Sequence, residues 1–120
     1  MTSLMDAITS QGSGRDDRFP HAPEDWTPAA AVQTARDEGL EIGDDHWQTI
    51  RALQEYYARH AHTAVNLREL HDALNEKFHR KGGMRYLYAL FSGGPVAQGC
   101  RLAGLKAPAG AIDRGFGSVA

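Results

Sequence analysis

The chain has 120 residues, of which 42% are hydrophobic and 23% charged, with a formal net charge of −2 and a single cysteine. That length suits one domain with a core of its own, and one cysteine excludes an internal disulfide, a four-cysteine zinc site and a multi-cysteine cluster. No uninterrupted apolar run approaches the roughly 20 residues of a membrane helix, and with no basic-then-apolar leader in MTSLMDAITS the expectation is a soluble, cytoplasmic protein.

Residues 1–18 mix Ser, Gly, Gln, Asp and Arg without a sustained period and read as a loose leader, so the domain is placed at residues 19–104 with a C-terminal arm over 105–120. Thr27 before Pro28 predicts a helix start, because the threonine oxygen can accept an orphan amide and proline suits the first helical position. This first helix should run to about Glu38, with Gly39 as its left-handed cap. Asp44 and Asp45 place carboxylates at the positive start of a second helix. Trp47, Ile50, Leu53 and Tyr57 give that helix one apolar stripe, with Gln48, Arg51 and Glu55 turned away. It should reach about His60. Asn66 and Glu69 form a capping pair for a third helix whose core face is Leu67, Leu70, Leu74 and Phe78, ended by Lys81-Gly82-Gly83. Met84 to Phe91 is short and apolar and is assigned as a buried fourth helix, a strand being the alternative at that length. Pro95 then opens a short fifth helix with Val96, Cys100 and Ala103 on one face and Gly104 as its stop. From Leu105 onward Pro108 and three further glycines deny a regular element. The expected architecture is an all-α, mostly helical small bundle.

Residues 1–60 carry five Lys+Arg against eleven Asp+Glu, whereas residues 61–120 carry eight against four. A basic second half can face an acidic partner, RNA or an anionic cofactor, but it can equally complement the acidic first half inside one fold, and the latter reading is preferred because the excess is small for a nucleic-acid module. A helix, turn and helix around His60 to Asn66, with Arg68, Lys77, Arg80 and Lys81 on the second member, is the pattern that a nucleic-acid reader would use, and such pairs are usually packing units. The histidines do not make a metal set: His60 and His62 point in different directions, and neither His71 nor His79 has a partner at four residues. No metal or cofactor is therefore expected. No serine sits on a strand-to-helix elbow, and Asp44 and Asp45 are helix-start carboxylates rather than an acid/base pair.

Cys100 is the one nucleophile with a plausible chemistry. Arg101 is adjacent and Lys106 is near, both favouring a thiolate, and Gly99 beside it offers little steric cover. The alternative is an inert core cysteine, since free cysteine is among the most buried residue types.

The segments DDRFPHAPEDW, LEIGDDHWQTIRALQEYY, MRYLYALF and GGPVAQGCRLAGLKAPAGAI, spanning roughly residues 16–112, resemble in order and spacing the DsrC/TusE family of sulfur-relay proteins. The resemblance implies a small helical bundle, often with an N-terminal hairpin, and a C-terminal arm bearing the functional cysteines. It implies persulfide chemistry in a relay toward tRNA thiolation or beside a sulfite reductase-type enzyme. By its register the family's C-terminal acceptor cysteine falls on Ala111 and the second arm cysteine on Cys100, so this chain keeps only the second. Arg18 and Pro20 stand in place of a turn glycine and a strand residue of the family hairpin, and DRGFGSVA extends the arm beyond Ile112. Two expectations follow. In the first, Cys100 accepts sulfane sulfur, with Arg101 and Lys106 supporting the anion, and passes it to a partner; this needs an exposed thiol. In the second, the chain is a non-catalytic regulator or decoy that keeps the family's docking surface without the acceptor.

Overall fold

Local capping chemistry sets most of the element boundaries. In the computed structural model, which describes residues 17–61 and 64–111, Thr27 has extended backbone and its side chain accepts from the Ala30 amide at 3.1 Å. Helix α1 follows over Pro28–Asp37 and buries Ala31 and Ala35. Gly39 takes the left-handed conformation expected of it, with φ +74°, which lets the Leu40 amide close back on the Ala35 carbonyl at 2.8 Å.

Helix α2 spans Asp44–Arg59, with both aspartates in its first turn. Ile50 and Leu53 are fully buried, while Trp47 and Tyr57, the outer members of the expected stripe, are only half-buried. The buried face is wider than the apolar stripe and includes His46, Thr49 and Gln54. Asn66 caps α3, Leu67–Lys77, by accepting the Glu69 amide at 3.0 Å, and Leu70, Leu74 and the C-capping Phe78 enter the core. A short 3-10 turn, His79–Lys81, leads into α4, Gly83–Leu90. This settles Met84–Phe91 as helix rather than strand, except that Phe91 is the buried cap. Helix α5 is Ala97–Ala103. It starts two residues after the expected Pro95, because Gly94 and its neighbours first make a tight turn in which the Gly94 amide reaches the Phe91 carbonyl at 2.9 Å.

The described residues thus hold five α-helices and no strand, as the all-α expectation required. Residues 17–27 are turns; the remainder of the hairpin region and of the leader, residues 1–16, lies outside the described residues. Helix α5 packs against both α1 and α2, and α4 packs against α3. One continuous core results, running from Phe19 and Trp26 through Ile50, Leu53 and Leu87 to Cys100 and Leu102. Two ion pairs tie acids of the first half to bases of the second, Lys81 to Asp45 and Arg101 to Glu38, each at 2.8 Å. The internal charge complementarity is therefore real. Residues 105–111 form neither helix nor strand, and Leu105, Ala107 and Ala111 lie against the core. The rest of the arm, residues 112–120, is outside the described residues.

Candidate functional site

The segment Gly93 to Ala103 is buried except at the half-buried Arg101, so it must satisfy its polar groups internally. Gln98, 2% exposed, accepts the Gly93 amide at 2.9 Å and donates to Glu38 Oε1 at 2.9 Å. Arg101 closes the same network with a two-pronged grip on Glu38, Nε to Oε2 and Nη2 to Oε1, both at 2.8 Å. The Arg101 hydrogen bond is the main reason the Glu38 carboxyl is held below its ordinary value, against a smaller opposing effect of burial. At the other end, the Trp26 indole donates to the Leu102 carbonyl at 2.7 Å and Gln54 donates to the Ala103 carbonyl at 3.0 Å. The side-chain oxygen of Gln54, Oε1, is the one buried side-chain polar atom among the described residues that lacks a partner.

Cys100 sits in the middle of this clamp. It is 0% exposed. Burial is the dominant influence on its thiol and pushes the pKa up to about 11, with a Tyr57 hydrogen bond and the Arg101 charge pulling the other way. The sulfur donates to the Tyr57 hydroxyl at 3.7 Å, and that hydroxyl in turn donates to the backbone carbonyl of Lys106 at 2.6 Å. Burial, reinforced by the neighbouring Cys100, holds the Tyr57 hydroxyl above its usual range, so it remains a donor.

These facts revise the sequence-based picture of the site at several residues. The exposed thiol required for carriage is absent in this conformation, because Cys100 belongs to the core cluster. Gly99 gives close packing and not access: a Cβ there would lie 2.8 Å from Leu53 Cδ1. Arg101 faces Glu38 first and only weakly favours a thiolate. Lys106 is exposed, and what it contributes near the sulfur is its carbonyl oxygen. Ala111, at the register of the family's acceptor, is half-buried against the core. Tyr57 was legible only as an apolar stripe residue, and Glu38 as a helix end; their roles arise from partners 43 and 63 residues away, which no local pattern carries.

Two of the described histidines, His46 and His60, make structural contacts. His46 accepts the Gly43 amide on Nδ1 at 2.9 Å and meets the Leu90 carbonyl with Nε2 at 2.9 Å, an arrangement that places its proton on Nε2. His60 stacks on Tyr56 at 4.1 Å and bonds the Tyr56 carbonyl. His62 lies outside the described residues. No group of potential metal ligands converges among the described residues, and no helix there is long and apolar enough to cross a membrane. Arg68 and Lys77 are nine positions apart on α3, half a turn around its axis, so they do not make a stripe, and Lys81 is paired with Asp45.

The family model described as DsrC like protein matches residues 10–112. The chain belongs to the DsrC-like family. Relatives named Sulfurtransferase TusE are 40% identical over 84 residues in Salmonella paratyphi A and 37% identical over 84 residues in Escherichia coli K12, each alignment covering 69% of this chain and 76% of the relative. The NMR structure of Allochromatium vinosum DsrC superposes with a TM-score of 0.62 at 37% identity, covering 81% of this chain and 87% of that one. The sequence-based resemblance and the all-helical fold are both upheld by these DsrC-like matches.

Proposed function

We propose that this DsrC-like chain serves sulfur trafficking in the cytoplasm by docking: it engages a sulfur-relay protein or a sulfite reductase-type enzyme through the surface around its arm, and it regulates or occupies that partner without carrying sulfur on its own thiol. The family membership and the sulfurtransferase relatives support the pathway. The observation that carries the docking mode is the state of Cys100. A 0% exposed thiol whose pKa burial pushes up to about 11 stays protonated at neutral pH, and the thiolate is the nucleophile. Alanine at position 111 removes the other sulfur acceptor that the family resemblance would supply.

A second reading keeps Cys100 as carrier. Its thiolate would attack the outer sulfur of a donor persulfide, forming a new S–S bond as the donor's S–S bond breaks and the donor leaves as a thiolate; sulfane sulfur moves with no net oxidation. The thin cover over Cys100 favours this reading, since the half-buried Tyr57 is its hydrogen-bonding neighbour on the arm side. One experiment separates the two. The protein is incubated with a cysteine desulfurase and free cysteine, without reductant, and the Cys100 peptide is weighed. Docking predicts no added sulfur and retention of sulfur-relay partners that is the same for the wild type and Cys100→Ser. A gain of one sulfur atom on that peptide, with retention lost in the serine variant, overturns docking in favour of carriage.

A further inference from the structure

The Tyr57 hydroxyl is the point where three separate parts of the chain meet: α2, which carries the ring, α5, which carries the Cys100 sulfur, and the arm, which presents the Lys106 carbonyl. The hydrogen bonds run in one direction, from Cys100 Sγ to Tyr57 at 3.7 Å and from Tyr57 to Lys106 at 2.6 Å. We propose that Tyr57 is a latch: its hydroxyl ties the start of the arm to the body beside the Cys100 sulfur, and release of the Tyr57–Lys106 bond is the local opening through which the thiol becomes reachable while the rest of the fold stays intact.

The surroundings make this the weak point of the cover. On the core side Cys100 belongs to the buried cluster, where Leu53, closely approached by Gly99, and Leu102 and Ala103 are all fully buried. Those contacts yield only when helices separate. On the arm side the cover is thin: Tyr57 is half-buried, Lys106 is exposed, and Leu105 and Ala107 are only partly buried. The arm there has no helix or strand hydrogen bonding to hold it, its first attachment being the Leu105 amide on the Cys100 carbonyl at 2.8 Å. Segments with few buried contacts and solvent-facing backbone open at a free-energy cost well below that of global unfolding. The latch is independent of whether the opened thiol is a carrier, so it stands or falls apart from the docking proposal.

The test follows the alkylation rate of Cys100 by excess iodoacetamide in the full chain at fixed pH, as a function of urea below the unfolding transition. A local latch predicts a rate in the wild type that is nearly independent of urea, since little surface is exposed on opening. A rate that climbs with the full equilibrium urea slope means the thiol reacts only from the unfolded chain, which overturns the proposal without any variant. Tyr57→Phe keeps the ring and removes the tie, and should raise the low-urea rate about fivefold, the factor expected of one net hydrogen bond. Tyr56→Phe is the control, because its hydroxyl donates to Glu69 on α3 and touches neither Cys100 nor the arm. Equal rates in wild type and Tyr57→Phe, or an increase matched by Tyr56→Phe, also overturn the latch.

Discussion

Glu38 shows how one carboxylate can hold an interface. It receives three hydrogen bonds, from Gln98 and from two nitrogens of Arg101, and its side chain is only 10% exposed. Its carboxyl is depressed in the folded state below the ordinary 4.5. A depressed carboxyl contributes its stability fully above the unfolded value and loses it as pH falls through the folded one. Stability of the wild type should therefore decline on acidification below about pH 4.5, and Glu38→Gln should be less stable at neutral pH with a shallower acid decline. Urea midpoints from pH 3 to 7 for both proteins check this, and parallel profiles would contradict it. Gln98→Ala removes two bonds at once and leaves the buried Gly93 amide without an acceptor. An unsatisfied buried donor costs 1–3 kcal/mol, so a loss of about 2 kcal/mol in chemical denaturation is expected.

At the level of the element, α5 and its exits determine where the candidate site lies. Its seven residues are too few to be stable by themselves, so tertiary anchors replace propensity. Gly104 ends it in the left-handed region at φ +78°, and a Cβ there would meet Trp26 Cδ1 at 2.9 Å. The turn and the Trp26–Leu102 hydrogen bond are thus one unit. Gly104→Ala combines a backbone strain of about 1–2 kcal/mol with overpacking against the indole, so the variant should lose about 3 kcal/mol and shift the Trp26 fluorescence. A midpoint within 0.5 kcal/mol of wild type, on the order of a neutral surface change, would show that Trp26 moves aside freely. The amphipathic helices α2 and α3 were predictable because each buries one face and wets the other, which imprints a 3.6-residue period on the sequence. Helix α5 lacks that imprint: Ala97 through Cys100 are all buried, and only a helix with a wet side shows periodicity.

Across the whole molecule, the acidic first half and the basic second half are joined through Asp45–Lys81 and Glu38–Arg101. Among the described residues the core runs from Phe19 to Ala103, with Leu105, Ala107 and Ala111 packed against it. Residues 113–120, DRGFGSVA, have no periodic apolar face in sequence, so deleting them should leave the unfolding midpoint within about 0.5 kcal/mol of the full chain, the range of changes remote from a core. A drop of several kcal/mol would mean that the extension contributes to the core. Measuring sulfur-relay partner retention on the same truncated protein tests whether the extension gates docking.

The first three helices, the element order and the caps at Thr27, Gly39, Asn66 and Gly104 were determined by the sequence alone, because those caps act on amides and carbonyls within a few residues of themselves, whereas the helical state of Gly83–Leu90 and the Ala97 start of α5 were decided by the tertiary structure. Family membership was equally legible, since the motif spacing survives as linear text. What only the tertiary structure decided is the chemical state of Cys100. Arg101 is one residue away in sequence, yet its guanidinium is taken by Glu38, the residue that caps α1; Tyr57 is 43 residues away, yet it is the thiol's hydrogen-bond partner. A thiol's pKa depends on how much water and which charges surround it, and both are set by which helices happen to pack together, a long-range outcome that neighbours in sequence do not encode.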